Sequence, residues 1–195
     1  MRCSTPIRQS AGGFGLIEAL VTLIVLLLGL LGLVTLMLAS QRAESESYQR
    51  AQALILLQDM VQRINANRSA AGCYAITTDT ANGVPYLGTG AGTLPACSLG
   101  TVQAYTLANN DLAAWNNLLA GAAEASGTSN VGAMTGARGC ISFNAVSGIY
   151  VVSVAWQGKN KTVAPVAGLT CGSGLYGNET QRRVVSATLQ IANLN

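Results

Sequence analysis

Residues 13–40 read GFGLIEALVTLIVLLLGLLGLVTLMLAS, and the rest of the chain is organised around them. From Ala19 to Ala39 there is no charge, and the polar side chains are Thr22 and Thr35 alone. At 1.5 Å per residue a helix of this length spans about 30 Å, the thickness of a bilayer hydrocarbon core. Residues 1–13, MRCSTPIRQSAGG, carry Arg2 and Arg8 and no acid. A secretory signal peptide places its small-residue cleavage site beyond the apolar run. Here Ala11, Gly12 and Gly13 precede the run, and Leu38-Ala39-Ser40 leads straight into helix-compatible sequence. Cleavage at the small residues leaves the apolar segment on the mature chain. Basic residues before the run, and none after it until Arg42, place the N-terminus in the cytoplasm and the remainder across the membrane.

Composition excludes several classes of function. Of 195 residues 10% are charged, the net charge is +3, and mean hydropathy is +0.37. The 11 basic residues are scattered, so no row of them neutralises a run of phosphates, and nucleic acid is not an expected partner. Histidine is absent, which removes Ser-His-Asp and Cys-His catalysis and His-ligated zinc. No acid, base and nucleophile come together in the sequence, so no enzyme is expected, and neither a metal nor a cofactor. Cys3 leaves with a processed N-terminus, while Cys73, Cys97, Cys140 and Cys171 stay at spacings that fit neither zinc nor redox motifs. Disulfides in an oxidising compartment are the expectation. Pairing Cys73 with Cys97 and Cys140 with Cys171 closes two local loops of low periodicity; the other two connectivities stay open.

Glu18 interrupts the apolar stretch, and a carboxylate near hydrocarbon marks function and needs a cationic partner. A chain cut after Gly13 supplies one in the new amino group of Phe14. Beyond the apolar run no Gly or Pro occurs from Leu33 to Ala71, and Leu54, Leu57, Val61 and Ile64 form an apolar stripe at helical spacing. Asn65, Asn67 and Gly72 mark the stopping zone, so one helix is expected over about 14–67. Gly29 and Gly32 in its apolar half either permit close helix contact or allow local melting.

Residues 72–110 read as a loop. Its GTGAG at 88–92 lacks the Lys-Ser/Thr and the preceding strand of a phosphate loop. A short second helix is expected from Asn110-Asp111 as its cap, with Leu112, Trp115, Leu118 and Leu119 on its apolar face. Three strands follow: Cys140–Val146, a Ser147-Gly148 turn into Ile149–Gln157, and Arg183–Asn193, whose Val185, Ala187, Leu189 and Ile191 alternate with polar residues. A long helix on a small antiparallel sheet, an α+β fold, accounts for the pattern.

Gly13-Phe14-Gly15-Leu16-Ile17-Glu18 resembles the G-F-T-L-I-E signature of class III signal peptides, shared by type IV pilins and the pseudopilins of type II secretion, with Gly15 where Thr is usual. The resemblance implies a pilin fold with a leader at 1–13, a long helix at 14–67 that crosses the membrane over about 14–39, and a periplasmic or extracellular domain at 68–195. It implies that a prepilin peptidase cuts between Gly13 and Phe14 and methylates the Phe14 nitrogen. Glu18 then pairs with a neighbouring subunit's N-terminal ammonium during assembly, and Cys140–Cys171 matches the C-terminal disulfide loop of many pilins. The segment from Gly15 to Leu36, with the Asn65–Arg68 helix end, Asp111–Trp115, Gly139-Cys140-Ile141 and the Val152–Trp156 strand, further resembles PilV-type minor pilins. That implies a low-abundance subunit of the inner membrane, then of the pilus and cell surface. It would prime pilus assembly for twitching motility, adhesion or DNA uptake, with other major and minor pilins and a tip adhesin as partners. A minor pseudopilin of a type II secretion system is the alternative, although Asp79 and Asp111 are too few loop acids for the calcium loops of some pseudopilins.

Overall fold

The computed structural model describes residues 15–93, 96–123, 125–127, 129–130 and 134–191. Two compact units divide at Glu44–Ser45 and are described separately. The elements are α1 (Leu16–Ala66), β1 (Leu87–Gly88), α2 (Val102–Leu119), β2 (Ala125–Ser126), β3 (Ser129–Asn130), β4 (Arg138–Asn144), β5 (Ile149–Gln157) and β6 (Arg182–Gln190), with 3-10 turns at Arg68–Tyr74 and Glu179–Gln181. The architecture is the expected one, a long N-terminal helix and a small antiparallel sheet. Apart from Gly15, the described residues of the first unit are all helical.

In the second unit α1 buries Ala53, Leu57, Met60 and Ile64, a single stripe at intervals of three and four residues. The expected stripe is corrected at two positions: Leu54 is 41% exposed and Val61 only half-buried. The helix stops where Asn67 leaves helical geometry and its buried amide Nδ2 turns to donate to the Ala104 carbonyl, 2.8 Å away.

The main sheet has strand order β1-β4-β5-β6, antiparallel throughout, and β2 and β3 pair separately. The β4–β5 turn comes two residues earlier than the sequence suggests. Asn144 Oδ1 accepts the amides of Val146 and Ser147, ending the strand before Val146. One face of β5, carrying Tyr150, Val152, Val154 and Trp156, meets Leu57, Met60 and Ile64 of α1 and Trp115 of α2 in the core. The opposite face of the sheet carries a second small cluster, Cys140, Ala155, Cys171 and Tyr176. On β6 the alternation is as expected, with Val185, Ala187 and Leu189 against the core and Ser186, Thr188 and Gln190 exposed.

The second helix begins nine residues before its expected cap. Thr101 is the N-cap, its side chain accepting the Ala104 amide, and Gly121 at φ 92 follows the last turn. Asp111 therefore lies mid-helix, and Leu118 is half-exposed while Leu112, Trp115 and Leu119 are buried. The Trp115 indole N–H donates to the Leu56 carbonyl at 2.9 Å, tying α2 to α1. Only a glycine fits at 139, because a Cβ there would lie 2.4 Å from the Trp115 ring. Cys73 is joined to Cys97, and Cys140 to Cys171.

Candidate functional site

In the first unit every side chain from Leu16 to Glu44 is exposed within the single chain, Leu16 at 87% and Leu36 at 69% among them. A helix that is apolar on all sides has no face for water and requires lipid or other helices around it. It is long and apolar enough to cross a membrane. Its two threonines are satisfied internally: Thr22 Oγ1 donates to the Ala19 carbonyl at 2.9 Å and Thr35 Oγ1 to the Gly32 carbonyl at 2.7 Å. Each hydroxyl is thus turned back onto its own helix, which is how membrane helices carry such groups at low cost.

Glu18 stands in the first turn of α1, where a carboxylate faces the positive end of the helix dipole. At 100° per residue, Thr22, Gly29 and Gly32 fall within about 40° of Glu18 around the helix. A Cβ built on Gly29 or Gly32 would meet no atom within 4 Å, so the backbone is bare on that side. One side of the apolar helix therefore combines a carboxylate with small residues, the composition that lets helix backbones approach closely. Gly13 and Phe14, the expected cleavage and methylation positions, lie outside the described residues.

The second unit contains a polar cluster that the sequence did not reveal. Arg63 of α1 bonds Asp59 at 2.8 Å and Asp111 of α2 at 2.7 Å. The other Asp111 oxygen accepts the Tyr74 hydroxyl at 2.6 Å, and Asn67 Nδ2 donates to that hydroxyl at 3.2 Å. Tyr74 is fully buried. Burial first, and the bond to Asp111 second, push its hydroxyl well above the ordinary tyrosine range. The Arg63 guanidinium is held above its usual value, chiefly by the bond to Asp59, with Asp111 adding to it against the effect of burial. Asp111 falls on the same helical stripe as Ala104, Ala108 and Trp115, and an acid on an apolar stripe is the signal that would have identified it.

Three further arginines fix the sheet. Arg183 pairs with Glu46 of α1 at 2.7 Å. Arg182, 4% exposed, pairs with Glu179 and donates to the carbonyls of Leu169 and Cys171. The Arg138 guanidinium lies 5.4 Å from the Tyr86 ring centroid and 4.8 Å from that of Tyr176.

Among the described residues no group of three or more His, Cys, Asp or Glu could hold a metal ion. The GTGAG loop borders an open cleft of about 380 Å³ with Asn109 and Asn116. Both asparagines are occupied: Asn116 Oδ1 accepts the Gly88 amide, and Asn109 bonds the backbone N–H and carbonyl of Cys97. The described residues lining the cleft carry no charge that would hold a phosphate.

A family model described as Tt1218-like, Type IV pilin Tt1218, matches residues 35–113. The match supports a type IV pilin subunit. It covers less than half of the chain and includes Arg63, Tyr74, Asp111 and the Cys73–Cys97 pair, but neither Glu18 nor β4–β6. No curated protein and no solved structure matches the chain.

Proposed function

We propose that the chain is a minor pilin of the PilV type: a structural subunit, not an enzyme, that primes and joins a type IV pilus. The observation that carries this is the exposed apolar first unit with its one carboxylate at Glu18, attached in sequence to a region that matches a type IV pilin family. In this reading the prepilin peptidase removes residues 1–13 and methylates the Phe14 nitrogen. The new ammonium and Glu18 of adjacent subunits pair in a water-poor helix bundle. There each charge alone would be strongly disfavoured, so the pairing sets the axial register of one subunit against the next. The bare side at Gly29 and Gly32, next to Glu18 around the helix, allows the neighbouring helix to come close. The N-terminus stays cytoplasmic and the second unit is delivered across the inner membrane, where its disulfides form and where a tip adhesin would meet it.

Two measurements test the reading together. Mass spectrometry of the native N-terminus should find N-methylated Phe14 at low stoichiometry in sheared surface filaments; the same N-terminus confined to the envelope favours a type II secretion pseudopilin. Glu18→Ala should leave the chain processed and membrane-inserted, yet reduce its amount in sheared filaments at least about tenfold, as expected when one member of a desolvated pair is removed. Normal incorporation of the variant would refute the pairing.

A further inference from the structure

We infer that residues 159–166, which follow the end of β5, are a contact for the anionic phospholipid headgroups of the membrane that α1 enters. Lys159 and Lys161 are the chain's two lysines, and both are exposed. The ion pairs among the described residues use Arg63, Arg182 and Arg183 and neither lysine. From Gly158 to Asn178 the sequence carries no acid. The acids bonded to the start of β6 are already taken, Glu46 by Arg183 and Glu179 by Arg182. Two positive charges therefore stand unpaired among the described residues, and Val163 and Val166 are exposed beside them.

The lysines sit on a fastened piece of backbone. The Gly158 N–H donates to the Gln181 carbonyl at 2.8 Å, and the Thr162 N–H donates to the Thr180 carbonyl at 2.8 Å. Between these two anchors Arg183 Nη2 donates to the Asn160 carbonyl at 2.7 Å. A Cβ at Gly158 would lie 2.8 Å from Arg183 Cζ, so a glycine is what lets the chain cross that guanidinium. The same Nη2 is 2.7 Å from Glu46 Oε1, and Glu46 is the second residue of the second unit. Lys159 and Lys161 thus lie at the end of that unit where its chain begins.

Covalent connection says what meets this end. Glu46 follows Ala39, the last residue of the apolar run, by seven residues. That is about 10 Å of helix, or at most about 25 Å of fully extended chain. With the apolar run in a bilayer, the lysines are tethered within reach of the headgroup layer, which adds about 5–7 Å on each side of the hydrocarbon. An ammonium at that depth is drawn to lipid phosphate, a gain of about fivefold in contact equilibrium per lysine. The valines favour lipid over an acidic protein surface. A headgroup layer takes a charged tip on its phosphates and an apolar side chain at the acyl boundary together, whereas a charged protein face would leave Val163 and Val166 unmatched.

The assignment rests on the membrane-spanning reading of α1 above. Its test uses the full chain in bilayer nanodiscs of phosphatidylcholine alone or of an equal mixture with phosphatidylglycerol. Because the chain has two lysines, amine acylation mapped by peptide mass spectrometry reads this loop directly. At low salt Lys159 and Lys161 should react at least about fivefold more slowly in the anionic discs, and the difference should vanish at about 1 M salt. An environment-sensitive fluorophore on Val166→Cys, in a chain with Cys3→Ser, should brighten in the anionic discs. Lys159→Gln with Lys161→Gln should remove that brightening, and Lys159→Arg with Lys161→Arg should keep it. Both pairs change exposed side chains outside the sheet ladder, and unchanged emission from buried Trp115 and Trp156 verifies the fold. Equal acylation rates in the two kinds of disc at low salt overturn the site, as does brightening that survives the glutamine pair. A chain that elutes apart from both kinds of disc shows that α1 does not span a bilayer, and overturns that reading and this assignment with it.

Discussion

Replacing Asp111 by Ala tests whether the Arg63–Asp111–Tyr74 cluster holds α1 to α2. Tyr74 is fully buried; it accepts from Asn67 Nδ2 and donates to Asp111. Without Asp111 its proton has no acceptor, which costs about 1–3 kcal/mol in a buried site. Arg63 keeps Asp59 and loses one charge-assisted bond in a partly exposed position, about 1 kcal/mol more. A total near 3 kcal/mol lowers the Tm by roughly 6–12 °C in a chain of this size. The chain's two tryptophans, Trp115 and Trp156, are both buried in the second unit, so intrinsic fluorescence of the full chain in detergent reports that unit alone. Adding Tyr74→Phe removes the orphaned hydroxyl, so the double variant should be no less stable than Asp111→Ala, with a coupling of about 1–2 kcal/mol. A Tm shift under about 2 °C, or strictly additive effects, would refute the role assigned to the cluster.

The close approach of Trp115 and the burial of Tyr74 give two more expectations. Gly139→Ala puts a methyl group 2.4 Å from the Trp115 ring and 2.6 Å from Leu119 Cδ1, and should cost about 1–3 kcal/mol with a change in Trp115 emission; an unchanged Tm would mean the ring moves freely. Because the Tyr74 pKa is raised in the folded chain, its neutral form is the stabilised one. That contribution is complete below the unfolded tyrosine value of about 10 and fades as pH rises beyond it, so thermal unfolding scans should show a steeper alkaline loss in the wild type than in Tyr74→Phe.

What the sequence disclosed followed periodicity. The apolar run and the alternating residues of β5 and β6 repeat over enough positions to identify helix and strand. Where a repeat is short or mixed, sequence pattern and structure part. Ala53 counts for little on a hydropathy pattern, so the pattern runs the α1 stripe through Leu54, whereas packing puts the small Ala53 side chain against the core. Exposed Val102 and Leu107 blur the first half of α2, and Asn110-Asp111 reads as a cap although Asp111 serves Arg63. β1, at two residues, has no period at all. The site divides in the same way. Glu18 stood out because a charge in an apolar run is conspicuous, and the helical repeat places Gly29 and Gly32 on its side. The partners of Asp111 and Arg182 come from distant segments, Arg63 in one case and the carbonyls of Leu169 and Cys171 in the other, and no local pattern announces them.

The segment joining β5 to β6 is fastened at several points. Cys171 is bonded to Cys140, Arg182 donates to the carbonyls of Leu169 and Cys171, and Arg183 donates to the carbonyl of Asn160. Between these fastenings Val163 is 90% exposed and Val166 70%. Mutation can therefore rewrite or lengthen residues 163–168 almost without consequence for the sheet, since doubling a loop costs only about 0.6 kcal/mol. The surface most open to evolutionary drift, or to a grafted epitope, is thereby insulated from the strands that flank it.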